Sequence, residues 1–478
     1  MLVAVAALLP ATPRRVLAVV AGAVLSVLIV VKVLDIGFFT AFDRPFRPVD
    51  DSSYAGIGVE TLRDATGKST ADLAVVGAAV LLLAILAIPV LALLRVTRVA
   101  AGNRGWALRA AAVLGVLWVI LRVAGAPVAS SSAAALAVDE VQSVQADLHD
   151  RSVLARQLAH DPFRNTPGNQ LLTGLRGKDV LLVFVESYGR SAVQGSSFSP
   201  RIDRVLDQGK QQLHAAGFDA RSAFLTSPTF GGLSWLAHST MQSGIKITGQ
   251  RRYNQLVDNG RLTLTRAFKR AGWRAVGAMP ANHRAWPAGK RFYGYDAVYD
   301  RRNVGYRGPD FGLPPMPDQY ALAAFQRREL AAPGRPPLFA EIDLISSHAP
   351  WTRIPRLIPW NQVGDGSVFD GTPLADKGHG VRAAYGRSIE YSLRTLFSFV
   401  RRYGDDKTVL VVLGDHQPAT VVSGDHADHD VPISVIAHDP RVLRKIGGWG
   451  WQNGLLPSPK APVWPMDSFR DRFLTAFR

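Results

Sequence analysis

Where its apolar residues lie is what most constrains the fold of this sequence. Val16 to Phe39 and Leu73 to Leu94 are apolar runs, each long enough as a helix to cross roughly 30 Å of hydrocarbon. Trp106 to Val128 is a weaker third run, with Arg109 and Arg122 near its ends. Beyond about residue 130 the pattern stops, so the chain divides into a membrane part with about three helices, 1–128, and a soluble part. Met1 to Pro10 is apolar but too short to span, and reads as an interfacial stub or the end of a helix begun upstream. The stretch PRRVLAVVAGAVLSVLIVV has the basic start and apolar core of a secretory signal. No small-x-small cleavage site follows it and two further apolar runs do, which favours a retained anchor.

Orientation follows from the short loops. Arg14 and Arg15 precede the first span, and Arg95, Arg98, Arg104 and Arg109 crowd the connection between the second and third. Excess Lys and Arg marks the cytoplasmic side, so three crossings predict a multi-pass cell-membrane protein whose later part is extracytoplasmic. The chain has no cysteine, which excludes disulfides, thiol nucleophiles and thiolate metal sites. Its formal charge of +17 extends into the outer part through KRFYGYDAVYDRRNVGYR and RRYGDDK. A basic face near anionic head groups accounts for this; no nucleic-acid motif is present and no nucleic-acid partner is expected.

Residues 129–176 read as a connector, rich in Ala, Ser and Gln, with some helix in ALAVDEVQSVQADLHDRSVLARQLAH. From 177 to 478 strand-like runs alternate with amphipathic stretches: DVLLVFV, SPRIDRVLDQGKQQLHAAG, ARSAFLT, RAVGAM, PLFAEIDLI, the long helical VRAAYGRSIEYSLRTLFSFVRRYG, TVLVVLG and VPISVIA. This predicts an α/β domain with a mostly parallel sheet and helices on both faces. The Pro- and Gly-rich GYRGPDFGLPPMPDQ reads as a surface loop.

In such sheets ligands sit beyond the carboxyl ends of the strands. Glu186 follows DVLLVFV, Asp415 and His416 follow TVLVVLG, and His348 follows FAEIDLISS. Carboxylate oxygens with an imidazole suit a divalent ion such as Zn²⁺ or Mn²⁺. Taken alone, a Glu after a strand is more often a cap or salt-bridge partner. Between these ends in sequence lies SPTFGGLSWLAHSTMQSG, with hydroxyls at Ser227, Thr229, Ser234, Ser239, Thr240 and Ser243.

DVLLVFVESYGR, the hydroxyl stretch ending MQSG, DLISSHAPW and VVLGDHQP, in that order, resemble the sulfatase and alkaline phosphatase superfamily. Within it they are most similar to membrane-anchored phosphoglycerol transferases of the lipoteichoic-acid-synthase type and to phosphoethanolamine transferases, over about residues 178–440. The resemblance implies an alkaline phosphatase/sulfatase-like fold. It also implies Glu186, Asp415 and His416 as ligands of one divalent metal, Zn or Mn, with the nucleophile's oxygen as a further ligand. A cation there lowers the pKa of a coordinated hydroxyl and offsets phosphate charge, so a serine can attack phosphorus.

In the superfamily the nucleophile lies about ten residues before a Gly that closes its helix; counting back from Gly244 reaches Ser234. Ser234 also sits at a helix start, where free N–H groups favour phosphate. On its own pattern Ser234 is an ordinary N-cap, and Thr229 is the rival nucleophile. Ser227, Ser239, Thr240 and Ser243 read as loop and helix-surface hydroxyls. His348 is expected to protonate the leaving oxygen or hold the phosphate. His429 and Trp286 are expected substrate contacts, although Ala288 stands where the relatives of glycerol-phosphate type have Arg. His238, four residues after Ser234, takes the place of a sulfatase Arg and faces either the site or solvent. The implied reaction moves a phospho-alcohol head group from a membrane phospholipid, through a covalent phospho-Ser enzyme, to an envelope glycan or lipid acceptor. The alternatives are a phosphatase or sulfatase-like hydrolase, and an inactive envelope-binding relative; sulfate ester hydrolysis is disfavoured because SWLAH lacks the Pro and Arg that formylglycine formation requires.

Overall fold

The computed structural model describes residues 2–124, 150–311, 313–351, 353–371 and 380–478. The chain forms two compact units, Met1–Phe39 with Arg44–Arg151, and Thr40–Asp43 with Ser152–Arg478. The first holds α1 (Ala11–Phe42) as far as Phe39, with α2 (Lys68–Gly102) and α3 (Arg104–Val123). All three helices are long and apolar enough to cross a membrane. Ser26 Oγ donates to the Leu86 carbonyl at 3.1 Å, and a Cβ on Gly22 would meet Val90 Cα at 2.6 Å. Small residues thus let α1 and α2 approach closely, while Leu82, Leu83, Val113 and Leu114 stay exposed, as a lipid solvent requires. The last residues of the third apolar run, 125–128, and connector residues 129–149 lie outside the described residues.

Among the described residues, the second unit is built on a nine-stranded sheet. Its strands are β1 (Asp179–Val185), β2 (Asp219–Thr226), β3 (Arg274–Ala278), β4 (Ala297–Tyr299), β5 (Leu338–Leu344), β6 (Thr408–Gly414), β7 (Asp430–Ala437), β8 (Gln452–Asn453) and β9 (Val463–Pro465). The order is β4-β3-β5-β1-β6-β7-β2-β8, with β9 on β2. Pairings from β4 to β6 are parallel, whereas β7 is antiparallel to both β6 and β2. Every residue of β1 and β6 is buried, which is why both read as unbroken apolar runs rather than alternating ones.

Alternate residues of β1 feed two cores. Leu181, Val183 and Val185 pack with Ile202 and Leu206 of α4 (Ser199–Ala215) and with Ile389, Leu393 and Leu396 of the long helix Gly380–Tyr403. Val180, Leu182 and Phe184 face the opposite core, with Phe268, Phe473 and, from α5 (Ser234–Ser243), Ala237 and Met241. Residues 152–176, read above as connector, belong to this unit; Leu154 and Leu158 are buried in it, and Leu171, Leu172 and Leu175 join the α5-side core. The supposed surface loop is also different. Phe311 and Met316 are buried with Tyr306 and Tyr320, because the stretch carries enough apolar bulk for a small core of its own.

Candidate metal and phosphate centre

The strand ends meet as the parallel register dictates. β1 lies between β5 and β6, so Glu186, the turn after Leu344 and Asp415-His416 emerge side by side. The Gly before Asp415 is a packing requirement: a Cβ on Gly414 would collide with the Tyr188 carbonyl oxygen. Glu186, Asp415 and His416 are all buried, with one candidate ligand atom from each within 4.8 Å of the others. His416 Nε2 stands 3.4 Å from Glu186 Oε1 and 3.6 Å from Asp415 Oδ2.

The hydroxyl that joins this group is Ser234. Its Oγ donates to Glu186 Oε2 at 2.9 Å and lies 3.2 Å from His416 Nε2. Ser234 is the first residue of α5, and the cap position belongs to Leu233, whose φ of 64° is left-handed and which makes no side-chain cap. A leucine there is strained. Gly244, at φ 67°, closes the helix through its N–H to the Thr240 carbonyl.

The other hydroxyls do something else. Thr229 Oγ1 is buried without a hydrogen-bond partner. Ser227 Oγ donates to the Asp415 carbonyl at 2.6 Å. Ser239 and Thr240 bond back to the Leu236 carbonyl, and Ser243 Oγ accepts from Ile245 N–H. These three, read as helix-surface groups, are fully buried, because α5 lies on the sheet and its hydroxyls satisfy backbone inside the core.

Tautomers and charge tell what the cluster lacks. His416 Nδ1 is 2.8 Å from the Gln417 carbonyl, which only an N–H can satisfy, so Nε2 is the ring nitrogen that faces the two carboxylates and the Ser234 oxygen. Asp415 Oδ1 accepts from the Ser187 and His416 N–H groups at 2.7 and 2.8 Å, but Oδ2 is buried with no donor. Burial raises Asp415 to about 6, with the neighbouring Glu186 carboxylate adding to it. Burial alone would raise Glu186 as well; the His348 and His416 imidazoles outweigh it and hold that carboxyl at about 2. His416 Nε2 lies 3.2–3.6 Å from the Ser234 oxygen, Glu186 Oε1 and the unpartnered Asp415 Oδ2, separations that fit a divalent cation with bonds of about 2.0–2.2 Å.

His348 sits in the turn after β5, half-buried, with Nδ1 2.7 Å from the Ala349 carbonyl. The turn is held by Asp318, whose Oδ1 accepts from Ser346 N–H at 2.9 Å, and by Ser347 Oγ, which donates to the Glu186 carbonyl at 2.6 Å. His429 packs its ring 5.3 Å from Phe230, at the entrance to the Gly231-Gly232 turn, and burial lowers its pKa. Trp286 does not join the carboxylate cluster; it packs 5.6 Å from Tyr293 in the apolar group that includes Leu233 and Trp235, flanking α5.

His238 faces inward rather than to solvent. Its ring stacks on Phe184 at 3.9 Å, with Nδ1 near Glu341 and Asp343. Burial would lower its pKa, but the Asp343 and Glu341 carboxylates raise it to about 9. Glu341 and Asp343 were missed as candidates. The signal was two acids at alternate positions of an otherwise apolar strand, which places both on the face covered by α5.

No family model matches the chain and none of the curated proteins does. Solved structures similar to it include the phosphoethanolamine transferase EptA of Neisseria meningitidis, an integral membrane protein. It is 15% identical with a TM-score of 0.46, over 98% of this chain and 85% of that one. The lipoteichoic acid synthase LtaP of Listeria monocytogenes is 16% identical with a TM-score of 0.41, over 55% of this chain. The phosphoglycerol transferase GacH of Streptococcus pyogenes is 10% identical with a TM-score of 0.39, over 68% of this chain and 90% of that one. The chain spans 66% of LtaP's own length, just under two thirds. Likeness at this level leaves the activity to be argued from the site.

Proposed function

We propose that the protein is a metal-dependent phosphotransferase that moves a phospho-alcohol head group, of phosphoglycerol or phosphoethanolamine type, from a membrane phospholipid to an envelope glycan or lipid. The observation that carries this is the convergence of His416 Nε2, the Glu186 and Asp415 carboxylates and the Ser234 hydroxyl at the strand ends. Zn²⁺ or Mn²⁺ held by Glu186, Asp415, His416 and Ser234 Oγ would lower the pKa of the serine hydroxyl and offset charge on phosphate oxygens.

Deprotonated Ser234 Oγ attacks phosphorus, forming an O–P bond as the donor's P–O bond to its lipid alcohol breaks. His348 gives the leaving alkoxide a proton and takes one back from the acceptor hydroxyl, whose oxygen then displaces Ser234. The N-terminal N–H groups of α5 point at the phosphate built on its first residue. His429 and Trp286 border the approach and contact the head group or acceptor. Three apolar helices, with arginines before the first and between the second and third, support an extracytoplasmic site with donor lipid of the outer leaflet within reach.

The test is lipid and glycan profiling of cells carrying the wild type or Ser234→Ala. One phospho-substituent should vanish with the variant while protein level and fold are unchanged. An identical profile would refute the reading.

A further inference from the structure

We propose that His238, Glu341 and Asp343 bind a second divalent cation, one helical turn along α5 from Ser234. This goes beyond the single ion proposed above and does not depend on the reaction assigned there.

The three side chains present candidate ligand atoms all within 4.8 Å of one another. His238 Nδ1 is 3.4 Å from Glu341 Oε1 and 3.6 Å from Asp343 Oδ1. Both separations are too long for a good hydrogen bond. Ligand atoms at about 2.0–2.2 Å from a tetrahedral ion stand roughly 3.3–3.6 Å apart, so both suit the edges of a coordination shell. The same pair of distances recurs at the first centre, from His416 Nε2 to Glu186 and Asp415.

The surroundings hold each ligand in place without using its free atom. Glu341 Oε2 accepts from Gln242 Nε2 and the Tyr295 hydroxyl, each at 2.5 Å, and Gln242 is itself fixed by donors from Thr265. That leaves Oε1 for the His238 side. Support of a carboxylate by its other oxygen is what metal ligands commonly show. Asp343 Oδ1 is buried with no hydrogen-bond partner. The His238 ring is oriented by its stacking on Phe184; its Nε2 has no hydrogen-bond partner. Among the described residues no Lys or Arg pairs with either acid, although both lie in a strongly basic chain. Side-chain exposures of 12% for His238 and 17% for Asp343 leave a path for an ion. Nitrogen mixed with carboxylate oxygen selects Zn²⁺ or Mn²⁺, and three protein ligands leave a position open for water or a substrate oxygen.

The full-length protein in detergent, stripped with chelator and dialysed against Zn²⁺ or Mn²⁺, can be counted by native mass spectrometry and elemental analysis. Two equivalents are expected. Asp343→Asn and His238→Gln should each retain one, Glu186→Gln should also retain one, and Asp343→Asn with Glu186→Gln should retain none. Circular dichroism identifies any variant that fails to fold, and agreement of the two separate triad variants guards against that case. One equivalent in the wild type, removed by Glu186→Gln and kept by Asp343→Asn, would overturn the proposal and leave the triad a charge-paired imidazolium. One equivalent removed by Asp343→Asn and kept by Glu186→Gln would support it while refuting the first centre. None at all would overturn both.

Discussion

β1 carries a carboxylate at each end, and the two keep different company. Asp179 opens the strand in a bidentate pair with Arg335, at 2.8 and 2.5 Å, and accepts the Leu338 N–H as well. Glu186, one residue past the other end, has no guanidinium or ammonium partner among the described residues; its neighbours are Ser187, Ser234 and His416. Glu329, near the same edge as Asp179, is likewise clamped by Arg274 at 2.8 and 2.7 Å. Burying a carboxylate is costly unless its charge is met. At the amino ends of the strands the protein supplies that charge itself. At the carboxyl ends the neighbours are imidazoles and hydroxyls, and there the proposed cation would meet the remaining charge.

The sharpest way to break this contrast is to neutralise each end in turn. Glu186→Gln should cost roughly 10³-fold in turnover and remove the bound ion, since loss of several kcal/mol of transition-state charge stabilisation translates to about that factor. The melting temperature of its metal-free form should not fall. His348→Gln should lower kcat by about 10²–10³ with metal content intact, the range for losing a general acid. Asp179→Asn should do the reverse of Glu186→Gln: about 2–3 kcal/mol of stability lost in denaturant melts, because Arg335 is left half-buried and unmatched, with ion binding unaltered.

A smaller effect sharpens how the His348 turn is held. Asp318 is pushed up to about 6 by burial, despite donors from Ser392 and Ser346. Its folded pKa lies above the unfolded value of about 3.9, so its contribution to stability is complete below pH ~4 and is lost as pH rises through 6. Relative to Asp318→Asn, the wild type should lose about 2 kcal/mol between pH 4 and pH 7, measured by urea melts. Smallest of all, Thr229→Val replaces a buried, unpartnered hydroxyl by a methyl of the same shape. Turnover should stay within about twofold and stability should hold or rise by up to ~1 kcal/mol. A collapse in turnover would move the nucleophile from Ser234 to Thr229.

The strands that hold the centre were legible because buried parallel strands write themselves as continuous apolar runs, and Glu186, Asp415 and His416 stand where those runs stop. β4, β8 and β9 were not legible: with two or three residues each, they are too short for any periodicity to show. Burial on α5 was also hidden, because Ser239, Thr240 and Ser243 look polar in sequence and satisfy their hydroxyls within their own helix and the turn after it. Glu341 and Asp343 were passed over for a related reason. Their strand reads as apolar, and what distinguishes them is a face shared with His238, which only the register of β5 against β1 and the placement of α5 reveal.

The Ser234 oxygen, between Glu186 and His416, is the proposed acceptor of the phosphate. Full-length protein incubated with phospholipid and Zn²⁺ or Mn²⁺, then quenched in acid and digested, gives the measurement through the mass of the peptide containing Ser234. A phospho-alcohol adduct is expected on Ser234, and Glu186→Gln should abolish it. An unmodified peptide, or an adduct carried on Thr229, would contradict that assignment.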